Sequence, residues 1–333
     1  MNCHPAAKIE VLRGPAVESV HEVDVIIADA DGAIVSVWGE LDRNVFPRSS
    51  IKSLQALLLV ESGAAESSGF EQKHLALACS SHNGQPMHVD AAREMLDRIG
   101  LSETCLECGA QLPNLPKDNA DLVRQGIEPS AIHNNCSGKH AGFLVFASHT
   151  GLETQGYANF KSPVQREIAG VLESVVGTPH NEQNQATDGC SIPTYNIPLR
   201  KLAVAYAKFG VGACEGNERS KAMLQLRDAC LAHPEMVAGD ERVCTLLMQA
   251  LGKRAFVKTG AEGVYTASLP ELGYGVAMKA RDGNARAVEV AVSAVIEQCL
   301  DLNDEEAKCL KPLCEPVLKN RNNIEVGCIR LGR

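Results

Sequence analysis

The sequence predicts an α+β fold, an antiparallel sheet formed from the N- and C-terminal segments and packed with helices. Two observations carry this prediction. Strand-type runs fill the first forty residues and return near the C-terminus, while the middle of the chain repeats its apolar residues at helical spacing. There is also no internal repeat, low-complexity tract or clear linker, so residues 1–333 are expected to form a single domain with a helical lobe.

Residues 20–30 are rich in Val and Ile, Asp31-Gly32 signals a hairpin turn, and residues 33–38 resume the apolar pattern. Pro47 then precedes a stretch from Ser50 to Glu61 in which Ile51, Leu54, Leu57 and Leu58 recur at helical spacing. Ser49 is therefore expected at or near a helix start, with Pro47 just outside it. Residues 87–100, 141–149, 163–176, 197–209 and 219–232 also favour helix. Residues 264–268 and 274–280 read as strands, residues 285–300 as a helix, and residues 325–331 as one more strand.

A hydrophobic fraction of 45% beside 22% charged residues suits a globular protein with a substantial core. Aromatic residues make up only 4%, so that core must rest on Leu, Val, Ile and Ala. The formal net charge of -9 argues against nucleic acid as a partner, because a phosphate-binding surface needs clustered Lys and Arg. The N-terminal residues lack the apolar core of a secretory signal, and no apolar run is long enough to span a bilayer. A soluble, cytoplasmic protein without a membrane partner is the expectation. Thirteen cysteines in such a chain suggest free thiols and metal ligands rather than a disulfide framework.

Three short strings could carry chemistry: Ser49-Ser50-Ile51-Lys52, Ser81-His82-Asn83 and Lys258-Thr259-Gly260. Each pattern (S-x-x-K, S-x-N, K-T-G) occurs once, in the order of the active-site elements of serine β-lactamases and penicillin-binding proteins. One S-x-x-K is expected by chance in a chain this long, and an exposed helical Ser and Lys would explain it. Three matches in order are harder to assign to chance. A serine hydroxyl needs a neighbouring base to become a good nucleophile, and positions i and i+3 share a helix face. Lys52 can therefore serve Ser49, provided that burial and nearby positive charge keep its amine neutral. Unpaired N–H groups at the helix start could bind an oxyanion. Lys258 would add a second amine, and Ser81 could relay protons between it and a leaving group. This constellation suits acyl transfer from an amide.

A second constellation comprises Asn134-Asn135-Cys136-Ser137-Gly138-Lys139-His140 and Asp188-Gly189-Cys190. Two thiols with a nearby His, Lys or Asp could hold zinc, and the residue types alone favour Cys136, His140 and Cys190. The competing reading is a pair of buried free thiols. Cys105 and Cys108 form a lone C-x-x-C with no second pair, which reads as coincidence. No phosphate-loop string is present, so nucleotide binding has no support.

Taken together, Phe46-Pro47-Arg48-Ser49-Ser50-Ile51-Lys52, Ser80-Ser81-His82-Asn83-Gly84, the Asn134–His140 string, Asp188-Gly189-Cys190 and Lys258–Gly263 closely resemble the Rhizobium etli-type (class 3) L-asparaginases, the asparaginase II family. The likeness runs over nearly the whole chain. It implies a fold related to serine β-lactamases and glutaminases, and hydrolysis of L-asparagine to L-aspartate and ammonia (EC 3.5.1.1). It implies two Ser–Lys pairs, Ser49 with Lys52 and Ser81 with Lys258, with Ser49 as the nucleophile. It also implies zinc held by Cys136, Lys139 and Cys190, with lysine replacing the histidine that residue types alone suggested. Arg48, Asp188 and His140 are then expected to bind substrate or support the metal site, and a homodimer is expected. The rival readings are a glutaminase or another amidase on the same scaffold, since one methylene is worth only about 1–3 kcal/mol in a pocket. A non-enzymatic metal-binding protein is a further rival, though it leaves the S-x-x-K and K-T-G strings without a purpose.

Overall fold

Among the described residues, nine strands form the main sheet: Asn2–His4 (β1), Ala7–Arg13 (β2), Ala16–Asp29 (β3), Ile34–Trp38 (β4), Phe256–Thr259 (β5), Val264–Leu269 (β6), Tyr274–Ala280 (β7), Val317–Lys319 (β8) and Glu325–Leu331 (β9). Their order in this computed structural model is β8-β9-β2-β3-β7-β6-β5, with β4 also on β3 and β1 on β4. The structure describes residues 2–214 and 216–332, residues 2 and 3 by their backbone alone. Every pairing is antiparallel except β1 with β4. The expected sheet from the two chain ends is therefore what forms.

The chain divides into two compact units. The first comprises Met1–Ser50, Ile197–Val211 and Leu246–Arg333 and contains the sheet. Its central strand β3 buries Val23 and the continuous apolar run Val25, Ile26, Ile27 and Ala28, as suits a strand covered on both faces. The helix Leu199–Val211 lies directly on β7. A β-carbon added at Gly275 would come within 2.1 Å of the Ala203 oxygen and the Ala207 nitrogen, so only glycine permits this approach. The acidic Asp24, fully buried in β3, is held by Arg43 and by Arg281, whose Nη2 donates at 2.8 Å.

The second unit comprises Ile51–Asn196 and Gly212–Thr245 and is mostly helical. Its helix Ser137–Thr150 is buried along its first eleven residues rather than on one stripe, the mark of a helix at the centre of its unit. Gly138 packs against the Gln72–Ala78 helix: a β-carbon there would stand 2.5 Å from the Leu77 oxygen. The helix Pro163–Val176 starts as its sequence dictates, with Pro163 in the first turn and the Ser162 hydroxyl accepting from the Gln165 N–H at 3.2 Å.

One local expectation needs correction. Residues 50–61 do not form one helix but a 3-10 turn at Arg48–Ile51 followed by short helices at Lys52–Gln55 and Leu57–Glu61. At Ile51 and Ala56 the backbone ψ relaxes to 2° and -8°, which tightens the spiral at each junction. Lys258 and Thr259 end strand β5, which turns at Gly260 into β6.

Candidate active site

The chemistry-bearing residues fall into two groups, one in each unit. In the sheet unit, Arg48 and Ser49 lie in the 3-10 turn after Pro47, and Lys258 lies on β5. Arg48 has a φ of 53°, the left-handed region that ordinary residues rarely occupy. The Ser50 N–H and hydroxyl both bond the Pro47 carbonyl oxygen, at 3.0 and 2.7 Å, closing the turn tightly. The Lys258-Thr259-Gly260 segment presses on this turn. A β-carbon at Gly260 would stand 2.5 Å from the Pro47 oxygen and 3.1 Å from the Ser50 nitrogen. The structure thus brings the K-T-G string against the turn that carries Ser49, and the glycine is what allows it. Lys258 itself is fully buried, and its Nζ donates to the Thr259 carbonyl at 3.0 Å.

In the helical unit, Lys52, Ser81, Cys136, Lys139, His140, Asp188 and Cys190 form the second group. Lys52 is 1% exposed, and its amine donates to the Ser80 carbonyl at 2.7 Å and to the Cys136 sulfur at 3.0 Å. That places it beside both the Ser80-Ser81 segment and the start of the Ser137–Thr150 helix. The Ser81 N–H is fixed on the Val237 carbonyl at 2.9 Å. Next to it, the Ser80 hydroxyl is buried with no hydrogen-bond partner among the described residues. His82 is also fully buried. Its Nδ1 accepts from the Gly84 N–H at 3.0 Å, so Nε2 carries the proton and donates to the Ser137 hydroxyl at 3.0 Å.

Cys136, Cys190 and Lys139 meet in the interior. The Lys139 amine donates to the Cys190 sulfur at 3.0 Å, and Asp188 Oδ2 lies 3.5 Å from the same sulfur. The tight turn that presents Cys190 has Ser191 at a φ of 75° and its N–H on the Asp188 carbonyl at 2.9 Å. A hydrogen bond with Cys190, then the Lys52 and Lys139 charges, hold the Cys136 thiol well below its usual range against the opposing effect of burial. The same bond and burial raise Cys190. Burial opposes charge on Lys139, but the two cysteines and Asp188 outweigh it and raise its pKa. The pair behaves as one thiolate and one thiol facing two amines.

No group of three or more His, Cys, Asp or Glu side chains suited to a metal occurs among the described residues. The set Cys136, Cys190 and Lys139 nonetheless brings two sulfurs and a nitrogen to close quarters, donor types that suit zinc once the Lys139 ammonium gives up its proton to the ion's charge. His140 does not join it. Burial holds its ring neutral, and Nδ1 bonds the Tyr157 hydroxyl at 2.7 Å. Because that hydroxyl accepts from the Glu107 N–H at 3.0 Å, it donates to Nδ1, leaving a protonated Nε2 that is buried without a partner among the described residues.

Sequence reasoning did not find the Lys52–Cys136 contact, which joins residues 84 positions apart and leaves no local signal. Nor did it find the role of His82 in tying the Ser81 loop to the central helix. That loop was legible only as S-x-N.

Solved structures that match this chain include a class C β-lactamase at 15% identity, covering 85% of this chain and 92% of that one with a TM-score of 0.43. A D-alanine carboxypeptidase AmpC from Burkholderia cenocepacia is 14% identical, covering 84% and 93% with a TM-score of 0.41. Among curated proteins, none matches this chain. No helix among the described residues is long and apolar enough to cross a membrane. The family described as L-asparaginase II matches residues 9–331, and with nearly the whole chain covered the protein belongs to that family.

Proposed function

We propose that this protein is an L-asparaginase that hydrolyses L-asparagine to L-aspartate and ammonia through an acyl-enzyme on Ser49. Family membership over residues 9–331 supports an asparaginase-type amidohydrolase. The observation that carries the catalytic assignment is the close approach of Gly260 to Pro47 and Ser50, which sets the K-T-G strand against the Ser49 turn.

In this reading the Lys52 amine, in its neutral form, takes the proton as the Ser49 oxygen attacks the side-chain carboxamide carbon. Backbone N–H groups of the turn hold the oxyanion. The carbon–nitrogen bond then breaks, Ser81 and Lys258 pass a proton to the departing nitrogen, and ammonia leaves. Water attacks the resulting ester, releasing aspartate and returning the proton to Ser49. Arg48 and Asp188 would hold the charged ends of the substrate, and the unpartnered Nε2–H of His140 would meet a ligand or ordered water.

Cys136, Lys139 and Cys190 would hold zinc. When bound, the ion would take up the thiolate charge and help orient the substrate. A homodimer in the cytoplasm belongs to the same proposal. Ammonia release from asparagine and from glutamine, measured side by side, tests the substrate, and a preference for glutamine would replace this reading with a glutaminase. Ser49→Ala should lower kcat by orders of magnitude; near wild-type turnover would remove Ser49 as nucleophile. Metal analysis should find about one zinc per chain, lost in Cys136→Ser and Cys190→Ser.

A further inference from the structure

The turn that carries Ser49 is strained, and the sheet unit holds it from behind. Arg48 sits at a φ of 53° without being glycine, a conformation that persists only when its surroundings fix it. Two hydroxyls do this at one atom. The Tyr206 hydroxyl donates to the Ser50 carbonyl oxygen, and the Thr266 hydroxyl reaches the same oxygen at 3.2 Å. The Thr266 oxygen is also 3.3 Å from the Lys258 carbonyl oxygen, so its single proton is shared between the two carbonyls. Thr266 is the cross-strand partner of Lys258, so this hydroxyl ties the Ser49 turn to the strand carrying the second lysine.

The hydroxyls are themselves rigid. Tyr206 and Thr266 are both fully buried. The Tyr206 ring stacks on Phe256 at 6.1 Å and meets Phe209 edge-on at 5.9 Å. The Tyr206 carbonyl accepts from the Ser268 hydroxyl at 2.6 Å, pinning its helix to β6 two residues beyond Thr266. From the other side, Gly260 leaves no room for the turn to relax toward the strand.

We propose that Tyr206 and Thr266 are positioning residues: their hydroxyls clamp the Ser50 carbonyl and thereby hold the strained Arg48-Ser49 turn in its reactive conformation. The inference rests on Ser49 as the nucleophile. Neither residue touches substrate in this account. Both act on the geometry of the serine, so loss of either lowers the chemical step and leaves ground-state binding nearly intact.

The experiment compares Tyr206→Phe, Thr266→Val and Thr266→Ser in the full chain. Phe keeps the ring contacts and Val keeps the volume, so both variants remove a hydroxyl and little else. Asparagine hydrolysis is measured with thermal unfolding. Separately, a fluorophosphonate probe is allowed to label the protein, and peptide mass spectrometry gives the rate at which Ser49 is modified. Tyr206→Phe and Thr266→Val should each lower kcat and the labelling rate by about tenfold to a hundredfold. KM should stay within about twofold, and Thr266→Ser should recover most of the loss. Wild-type kcat and labelling in both hydroxyl deletions would overturn the clamp, as would losses that follow the unfolded fraction and are not rescued by serine. Labelling needs no particular substrate, so a labelled wild type that ignores asparagine refutes the substrate while still testing the clamp. A wild type whose Ser49 takes no label and whose Ser49→Ala variant keeps full activity refutes the nucleophile, and the clamp falls with it.

Discussion

The Lys139 amine stands 3.0 Å from the Cys190 sulfur, with both side chains inside the helical unit. Lysine at 1% exposure is tolerable only with a compensating partner, and the Cys136–Cys190 pair supplies it. Removing the lysine leaves a buried thiolate facing one amine instead of two. In protein stripped of metal by a chelator, Lys139→Met is expected to lose about 3–5 kcal/mol of unfolding free energy, as for a buried ion pair cut on one side. Urea denaturation checks this. An unchanged midpoint would mean that the sulfurs stay neutral in the folded protein.

Gly260→Ala is expected to be the more damaging change for catalysis. Its new methyl group would meet the Pro47 oxygen at 2.5 Å, and that oxygen already holds the Ser50 N–H and hydroxyl. Relief requires moving either the Ser49 turn or the β5–β6 connection. A loss of about 1–3 kcal/mol in stability, typical of overpacking, should accompany a fall in kcat of about a hundredfold. Full activity with intact stability would show that the turn and strand have slack.

The parts of the fold that rest on local pattern were legible in the sequence. The strand Glu325–Leu331 and the helices Pro163–Val176 and Ala285–Cys299 match their expected bounds to within a residue, because periodicity and end signals agree there. The helix Asp304–Cys314 was not legible: Pro312 lies inside it, and only Asn303, capping the Glu305 and Glu306 N–H groups, marks its start. At the candidate site, residue types and spacing nominated Ser49, Lys52, Ser81 and Lys258. They could not reveal that Lys52 reaches Cys136, or that Thr266 bridges Ser50 and Lys258. Those contacts are made by the folding of distant segments and have no one-dimensional signature.

Gly170→Ala is expected to stabilise the protein. Gly170 is exposed inside the helix Pro163–Val176, and a β-carbon there would meet nothing within 4 Å. Alanine removes the entropic penalty of a helical glycine, a gain of about 0.5–1 kcal/mol. A higher melting temperature with unaltered kinetics is the expected result. No gain would point to a close contact at that surface in the assembled protein.

Acid should destabilise the helical unit through His88. Its ring is fully buried and stacks on His82 at 4.6 Å, with Nδ1 accepting from the Gln85 N–H at 3.1 Å and Nε2 donating to the Glu235 carbonyl at 2.9 Å. Burial lowers its pKa from 6.5 to about 4, overcoming the smaller raising effects of Glu235 and Asp240. Between those values the unfolded chain binds a proton that the folded protein refuses, so stability rises with pH across the window and is lost as pH falls through it. The gap from 6.5 to about 4 corresponds to about 3 kcal/mol, fully withdrawn below pH 4. His133 and His180, also lowered chiefly by burial, add in the same direction. Urea unfolding at pH 7, 6, 5 and 4 should therefore show a steepening loss below pH 6.5. His88→Asn should start less stable at pH 7, since it forfeits two buried hydrogen bonds and a ring stack, but lose less on acidification. Parallel pH curves for the two proteins would show that His88 is protonated without penalty in the folded state.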